Sequence, residues 1–236
     1  MKKFAAFDID GTLIRWQLYH AVVDRLASKD MLGPDASAKL HQARMKWKRR
    51  EHPEAFREYE MSVIQIFEAG FSELSAKQFD QVTQEVIDKY GSQTYVYSRD
   101  LIEQLKKDGY VLLAISGSHH EIVQHVAKLY GFTDWAGTNY ERKDDHFSGK
   151  AFVASHHKKQ LLQAMIKKHD LSPTGSLAIG DSASDADMLE MVEQPIAFNP
   201  DQTLYKIAQQ KGWKIVVERK NVIYQMEAHD GSYILA

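Results

Sequence analysis

Phe7-Asp8-Ile9-Asp10-Gly11-Thr12-Leu13 places two carboxylates at the end of a short apolar run near the start of the chain. One carboxylate of such a pair can attack phosphorus while the other handles a proton. Far downstream, Ile179-Gly180-Asp181-Ser182-Ala183-Ser184-Asp185 again sets acidic residues behind an apolar run. A sheet can bring these two ends together, and oxygen-rich strand ends suit Mg²⁺. The combination points to metal-dependent phosphoryl transfer through an aspartyl-phosphate. The plainer reading of the first pair alone is a metal site or turn cap without catalysis.

Composition agrees with an enzyme core. The chain has 236 residues and is 44% hydrophobic, enough for one large domain or a core with a smaller insert. Its 30 basic and 32 acidic side chains leave a formal net charge of -2, so nothing global suggests nucleic acid or an anionic membrane. Cysteine is absent, which excludes disulfides, thiolate chemistry and Cys-ligated metal sites. No apolar stretch nears the roughly 20 residues of a membrane helix, and a cytoplasmic location is the expectation.

Outward from Asp8, Phe4 to Ile9 reads as a buried strand. Residues 15–91 change character. Trp16, Tyr19, Val22, Val23 and Leu26 recur at helical spacing, as do Phe56, Tyr59, Val63, Ile64 and Phe67. Pro53 fits the first turn of a helix, and Ser75 with Gln78 is a candidate capping box. About four helices are expected. Beyond residue 91 strands alternate with helices. The expected strands are Tyr110–Ile115, Ser176–Ile179, Pro195–Phe198 and Trp213–Val217, with helices Ser98–Asp108, Ser118–Tyr130, Lys158–His169, Ser184–Met191 and Thr203–Gln210. Tyr140 to Gly149 reads as a hairpin or loop, and Val222 to Leu235 as a terminal hairpin around Asp230-Gly231. The fold class is therefore α/β, a three-layer core with a mostly parallel sheet, formed by 1–14 and 92–236, plus a small all-helical domain, 15–91. Active residues should gather at the carboxyl ends of strands.

Asp8 reads as the nucleophile, and Asp10 as the acid for the leaving group and then the base for water. Gly11 permits a tight turn, and Thr12 can hold the loop. Ser116-Gly117-Ser118 opens a helix after a strand, a natural phosphate site or an ordinary helix cap. Lys158 or Lys159 could neutralise developing charge, or be surface lysines. Asp8 and Asp181 side chains with the Asp10 carbonyl supply metal ligands, while Asp185 positions metal waters or orients the lysine. Asp187 reads as a first-turn helix charge.

Together these residues resemble the haloacid dehalogenase-like superfamily of aspartate-nucleophile phosphatases. Asp8-x-Asp10-x-Thr12 matches its first motif and Ser116 its second. Lys158, favoured over Lys159 by spacing, matches the third, and Gly180-Asp181-x-x-x-Asp185 the fourth. The long gap between Asp8 and Ser116 resembles the phosphoserine phosphatase-like subgroup, which has a helical cap inserted after the first motif. The resemblance implies a Rossmann-like core, Mg²⁺-dependent hydrolysis of a small phosphorylated metabolite and a cap that closes over the site. In that subgroup a glutamate and an arginine of the cap meet the substrate. Gln17 stands at the first position, and an ungapped placement puts Val63 at the second, with Arg57 nearby, so phosphoserine is a doubtful substrate.

Trp16 and Gln17 follow the first motif and are candidates to line the substrate pocket, with Thr12 and Gly117; the alternative for Trp16 is a core anchor between the helical domain and the body. His119 and His120 read as helix-surface histidines, and His156-His157 lacks a third zinc ligand. The basic segment Lys39 to Arg50 reads as a solvated helix face. Alternatives to hydrolysis are phosphotransfer through the same intermediate, or a noncatalytic binding protein using that basic surface. A monomer or homodimer is expected.

Overall fold

The computed structural model describes residues 2–229 and 232–235. Contacts divide the chain into two compact units. The first takes the chain up to Trp16, Gly91–Thr138 and Val153 onward; the second takes Gln17–Tyr90 and Asn139–Phe152.

The first unit is built around β1 (Lys2–Phe7), whose residues Phe4 to Phe7 are fully buried. Such a continuous apolar run belongs to a strand covered on both faces. β1 pairs in parallel with β2 (Val111–His119) on one side and β5 (Leu171–Gly180) on the other. The parallel sheet continues outward through the first half of β3 (Asp134–Lys143) beyond β2, and through β6 (Gln194–Phe198) and β7 (Lys214–Arg219) beyond β5. Two antiparallel strands, β8 (Val222–His229) and β9 (Ser232–Leu235), extend it past β7. The turn expected at Asp230-Gly231 lies outside the described residues. Helices α5 (Val96–Lys107), α6 (His120–Tyr130), α7 (Lys158–Lys168), α8 (Ala186–Leu189) and α9 (Gln202–Lys211) connect the strands. One core cluster joins Phe4, Leu113, Ile115, Leu162 and Met188. Phe7 and Phe132 meet edge to face at 5.5 Å.

The second unit holds α1 (Leu18–Ser28), α2 (Ala36–Arg49), α3 (Ala55–Gly70) and α4 (Ala76–Tyr90). The capping box is formed: the Ser75 hydroxyl accepts from the Gln78 N–H and the Gln78 amide oxygen from the Ser75 N–H, both at 3.1 Å. Pro53 sits two residues before α3, in the turn that leads into it.

This unit is not all-helical. The second half of β3 and β4 (His146–Phe152) form an antiparallel hairpin whose contacts lie with the helices, so 139–152 leaves the core assigned to it on sequence. Aromatic packing is the reason. Phe147 stacks on Phe71 at 4.3 Å and meets Phe79 at 5.5 Å, while Tyr140 lies 4.7 Å from Phe71. Arg142 grips Asp80 with two hydrogen bonds, at 2.5 and 2.8 Å, and the Asp145 carbonyl accepts from the Ala76 N–H at 2.7 Å. The basic segment is partly tied down as well. Arg44 pairs with Asp24 and donates to the Tyr59 hydroxyl, and Trp47 stacks on Tyr59 at 5.3 Å. Lys39, Lys46, Lys48, Arg49 and Arg50 remain exposed.

Candidate active site

The site grows from the end of β1. Its ladder with β5 carries one residue past the strand, where the Asp8 N–H donates to the Ile179 carbonyl at 3.0 Å. The chain then turns sharply: the N–H groups of Leu13 and Ile14 both donate to the Ile9 carbonyl at 2.9 Å, and Gly11 takes φ +79°, where a side chain would be strained. The approach to α5 pins this loop. The Ser98 hydroxyl donates to the Thr12 carbonyl at 2.7 Å, and the Tyr95 N–H to the Leu13 carbonyl at 2.9 Å. Asp8 and Asp10 are therefore held at one strand end and both are buried.

Lys158 opens α7, where the helix dipole disfavours a cation. Its placement comes instead from two carboxylates. Nζ donates to Asp8 Oδ1 at 2.7 Å and to Asp185 Oδ1 at 2.5 Å, with the lysine only 3% exposed. Lys159, one position on, points to solvent. Burial alone would lower the pKa of Lys158, but Asp185 and Asp8 hold it above the ordinary lysine value, so it stays charged.

The acidic groups outnumber this cation. Burial, reinforced by the charges of Asp185 and Asp10 and opposed by Lys158, pushes the Asp8 carboxyl up from 3.8 to about 7. Asp181 is raised well above the ordinary value by burial and by Asp8 and Asp185. Carboxylate oxygens of Asp8, Asp181 and Asp185 lie within 4.8 Å of one another. An all-oxygen, electron-rich cluster with too little positive charge fits a hard divalent cation. Asp185 is the most engaged of the three. Its Oδ2 accepts from the N–H groups of Asp181 and Ser182 at 3.2 and 3.0 Å, while Oδ1 receives Lys158. That closeness needs Gly180, since a Cβ there would lie 2.5 Å from the Asp185 Cβ.

Ser116 stands across from Asp10. Its hydroxyl donates to Asp10 Oδ2 at 2.8 Å and accepts from the Ser118 N–H at 3.1 Å. The expected helix start at Ser118 is corrected here: β2 runs on to His119 and α6 begins at His120. Thr138 explains the extension. Its hydroxyl donates to the Gly117 carbonyl at 2.7 Å and accepts from the Ala154 N–H at 3.2 Å, and His119 pairs with it in the ladder. Ser116 thus sits within a strand, not at a helix N-terminus. His119 is likewise not a helix-surface histidine. It is fully buried, and burial pushes its imidazole down to about 3, leaving it neutral.

Among the other sequence candidates, the Thr12 hydroxyl is buried with no hydrogen-bond partner among the described residues. Gly117 is held by its carbonyl, and a Cβ there would meet the Ser155 Cβ at 3.2 Å. Trp16 is exposed and closes a segment of the first unit, while Gln17 opens the second and makes no side-chain cap to α1. Asp187 is an exposed charge in the first turn of α8. Sequence reading passed over Thr138 and Asp201. Asp201 caps α9, its carboxylate accepting from the Leu204 N–H at 2.7 Å, and Asn-Pro-Asp before a helix is a cap signal that could have found it. Thr138 left no such signal.

Over 230 residues the chain is 26% identical to a histidinol-phosphatase of Neisseria meningitidis serogroup C, covering 92% of this chain and 99% of that protein. It is 23% identical to a phosphoserine phosphatase of Archaeoglobus fulgidus, covering 88% of this chain but only 55% of that protein. A Bordetella pertussis Tohama I protein of unknown function shares the fold, with a TM-score of 0.72, 20% identity and coverage of 91% and 98% of the two chains. Among the described residues no helix is long and apolar enough to cross a membrane. The haloacid dehalogenase-like hydrolase model matches residues 5–190, and the chain belongs to that family.

Proposed function

We propose that this hydrolase is a Mg²⁺-dependent phosphatase that cleaves a small phosphomonoester through an aspartyl-phosphate on Asp8. The observation that carries this reading is the buried contact of Asp8 with Lys158 beside Asp181 and Asp185. Lys158 holds one oxygen of Asp8, which fixes the carboxylate for in-line attack and opposes the burial that raises its pKa. Asp8 forms a bond to phosphorus while the ester P–O bond breaks, and the leaving oxygen takes a proton from Asp10. Ser116 holds Asp10 in place through its Oδ2. Asp10 then takes a proton from water, whose oxygen bonds phosphorus as the bond to Asp8 breaks and phosphate is released. Asp8 and Asp181 would hold Mg²⁺, which supplies charge neutralisation for the phosphoryl oxygens.

Histidinol phosphate is the first substrate to try, because the histidinol-phosphatase relative is matched along almost its entire length. Phosphoserine is the second, from the partial match. The test is phosphate release from these two esters, a sugar phosphate, a nucleotide and an aryl phosphate, with Mg²⁺ or with EDTA. Wild type with metal should turn over at least one ester. EDTA and Asp8→Asn should each reduce the rate by about 1,000-fold or more. Undiminished release from the Asp8→Asn protein would sink the mechanism.

A further inference from the structure

Asp201 lies outside the motifs that define the site, on the turn between β6 and α9, yet it is bonded to the loop that carries Asp181. Its N–H donates to the Asp181 carbonyl at 2.8 Å, and its Oδ2 accepts from the Ala183 N–H at 3.1 Å. Asp185 holds the same loop from the other side. It takes the N–H groups of Asp181 and Ser182 on Oδ2, and its own N–H donates to the Ser182 carbonyl at 3.0 Å. Asp185 and Asp201 thus hold residues 181–183 from two sides.

The Asp201 turn is itself anchored. Asn199 adopts φ +43°, a left-handed conformation that asparagine tolerates. Its N–H donates to the Val216 carbonyl at 2.8 Å, and its side-chain oxygen accepts from the Glu218 N–H at 2.9 Å. Glu218 in turn caps α5, accepting from the N–H groups of Val96 and Tyr97 at 3.1 and 2.9 Å. A run of hydrogen bonds therefore leads from α5 through β7 and the Asn199–Asp201 turn to the acidic loop.

We infer that Asp201 is a positioning residue that holds the Asp181 loop in its cation-binding geometry, an inference that rests on the reading of Asp181 as a Mg²⁺ ligand. Groups behind a metal ligand set its orientation, and their loss costs affinity more than fold. Asp201 and Ala183 are both exposed, so water can partly replace the lost bond.

Asp201→Ser separates this role from helix capping. Serine is a good N-cap for α9 but too short to reach the Ala183 N–H as well. Calorimetric titration of the substrate-free protein with Mg²⁺ should give a dissociation constant raised by about 3- to 10-fold. The melting temperature should stay near wild type, and kcat should recover at saturating Mg²⁺. A folded Asp201→Ser protein with unchanged Mg²⁺ affinity would overturn the inference and leave Asp201 a helix cap alone. Asn199→Gly is the second probe: it keeps the left-handed turn, removes the acceptor for Glu218, and should weaken Mg²⁺ binding in the same direction. Unchanged affinity there, if Asp201→Ser fails to fold, would equally overturn it. Wild type that binds no Mg²⁺ in the same titration would remove the metal reading together with this one.

Discussion

Each unit contains a triad of charges, and the two are built in opposite ways. In the first, Lys158 sits between Asp8 and Asp185, with side-chain exposures of 3%, 6% and 0%. In the second, Glu85 sits between Arg25 and Lys29 at 2.6 and 2.7 Å, with exposures of 31%, 48% and 24%. Distances alone do not separate them; solvent does. Water screens the Glu85 triad and would solvate its members equally well apart. The Lys158 triad has given up that solvation, and its cation is outnumbered by carboxylates that raise one another's pKa. In the proposed mechanism this costly arrangement presents a fixed, electron-rich carboxylate to a cation and a phosphate.

The largest effect should come from removing the buried cation. Lys158→Met keeps the side-chain length and leaves Asp8 and Asp185 facing each other without a counter-charge. It should destabilise the metal-free protein by about 3–5 kcal/mol in urea unfolding near neutral pH. The loss should shrink towards pH 4, where the carboxyls can take up protons. A loss no larger than that of an exposed-triad variant would break the contrast.

A gentler probe of the same triad is pH. The Asp8 carboxyl titrates near 3.8 when unfolded but near 7 in the folded protein. Between those values the folded state binds more protons than the unfolded one, so stability falls as pH rises through that window. Unfolding free energies measured in EDTA should therefore decline from about pH 4 to about pH 7. Added Mg²⁺ should flatten the decline, because a cation that binds only the ionised folded site stabilises it most at the higher pH. A stability that rises across this range in EDTA would show that burial does not dominate Asp8.

Much of this was legible because the relevant signals are local. Phe4–Phe7, Leu112–Ile115 and Leu177–Ile179 are apolar runs buried within parallel strands, and length and composition mark them. The Ser75–Gln78 capping box is a three-residue signal and formed as read. Asp8, Ser116 and Asp181 each follow such a run, so the sheet gathers them. What stayed hidden depends on residues distant in sequence. Gly117-Ser118 reads as a helix start, but Thr138 draws the segment into β2 by taking its carbonyl. The hairpin 139–152 looks polar along the chain, and only Phe71 and Phe79 of the helical unit give Phe147 a place to bury. Lys158 and Lys159 are neighbours that motif spacing alone separates, and the fold turns only Lys158 towards the carboxylates of Asp8 and Asp185.

The smallest effect is expected at the exposed triad, with the opposite dependence on pH. Arg25 and Lys29 lower the Glu85 carboxyl from 4.5 to about 2, chiefly through the hydrogen bond from Lys29 and then that from Arg25. Because the folded value lies below the unfolded one, the contribution of Glu85 is present above pH 4.5 and fades as pH falls towards 2. Solvent and salt reach its carboxylate and make that contribution small, since ions screen charges that water already reaches. Glu85→Gln should leave the neutral-pH denaturation midpoint close to wild type, and 1 M salt should erase what difference remains. A salt-resistant destabilisation comparable to that of Lys158→Met would mean that Glu85 organises the packing of α4 against the C-terminal end of α1, and that exposure is a poor guide to which of the two triads the fold depends on.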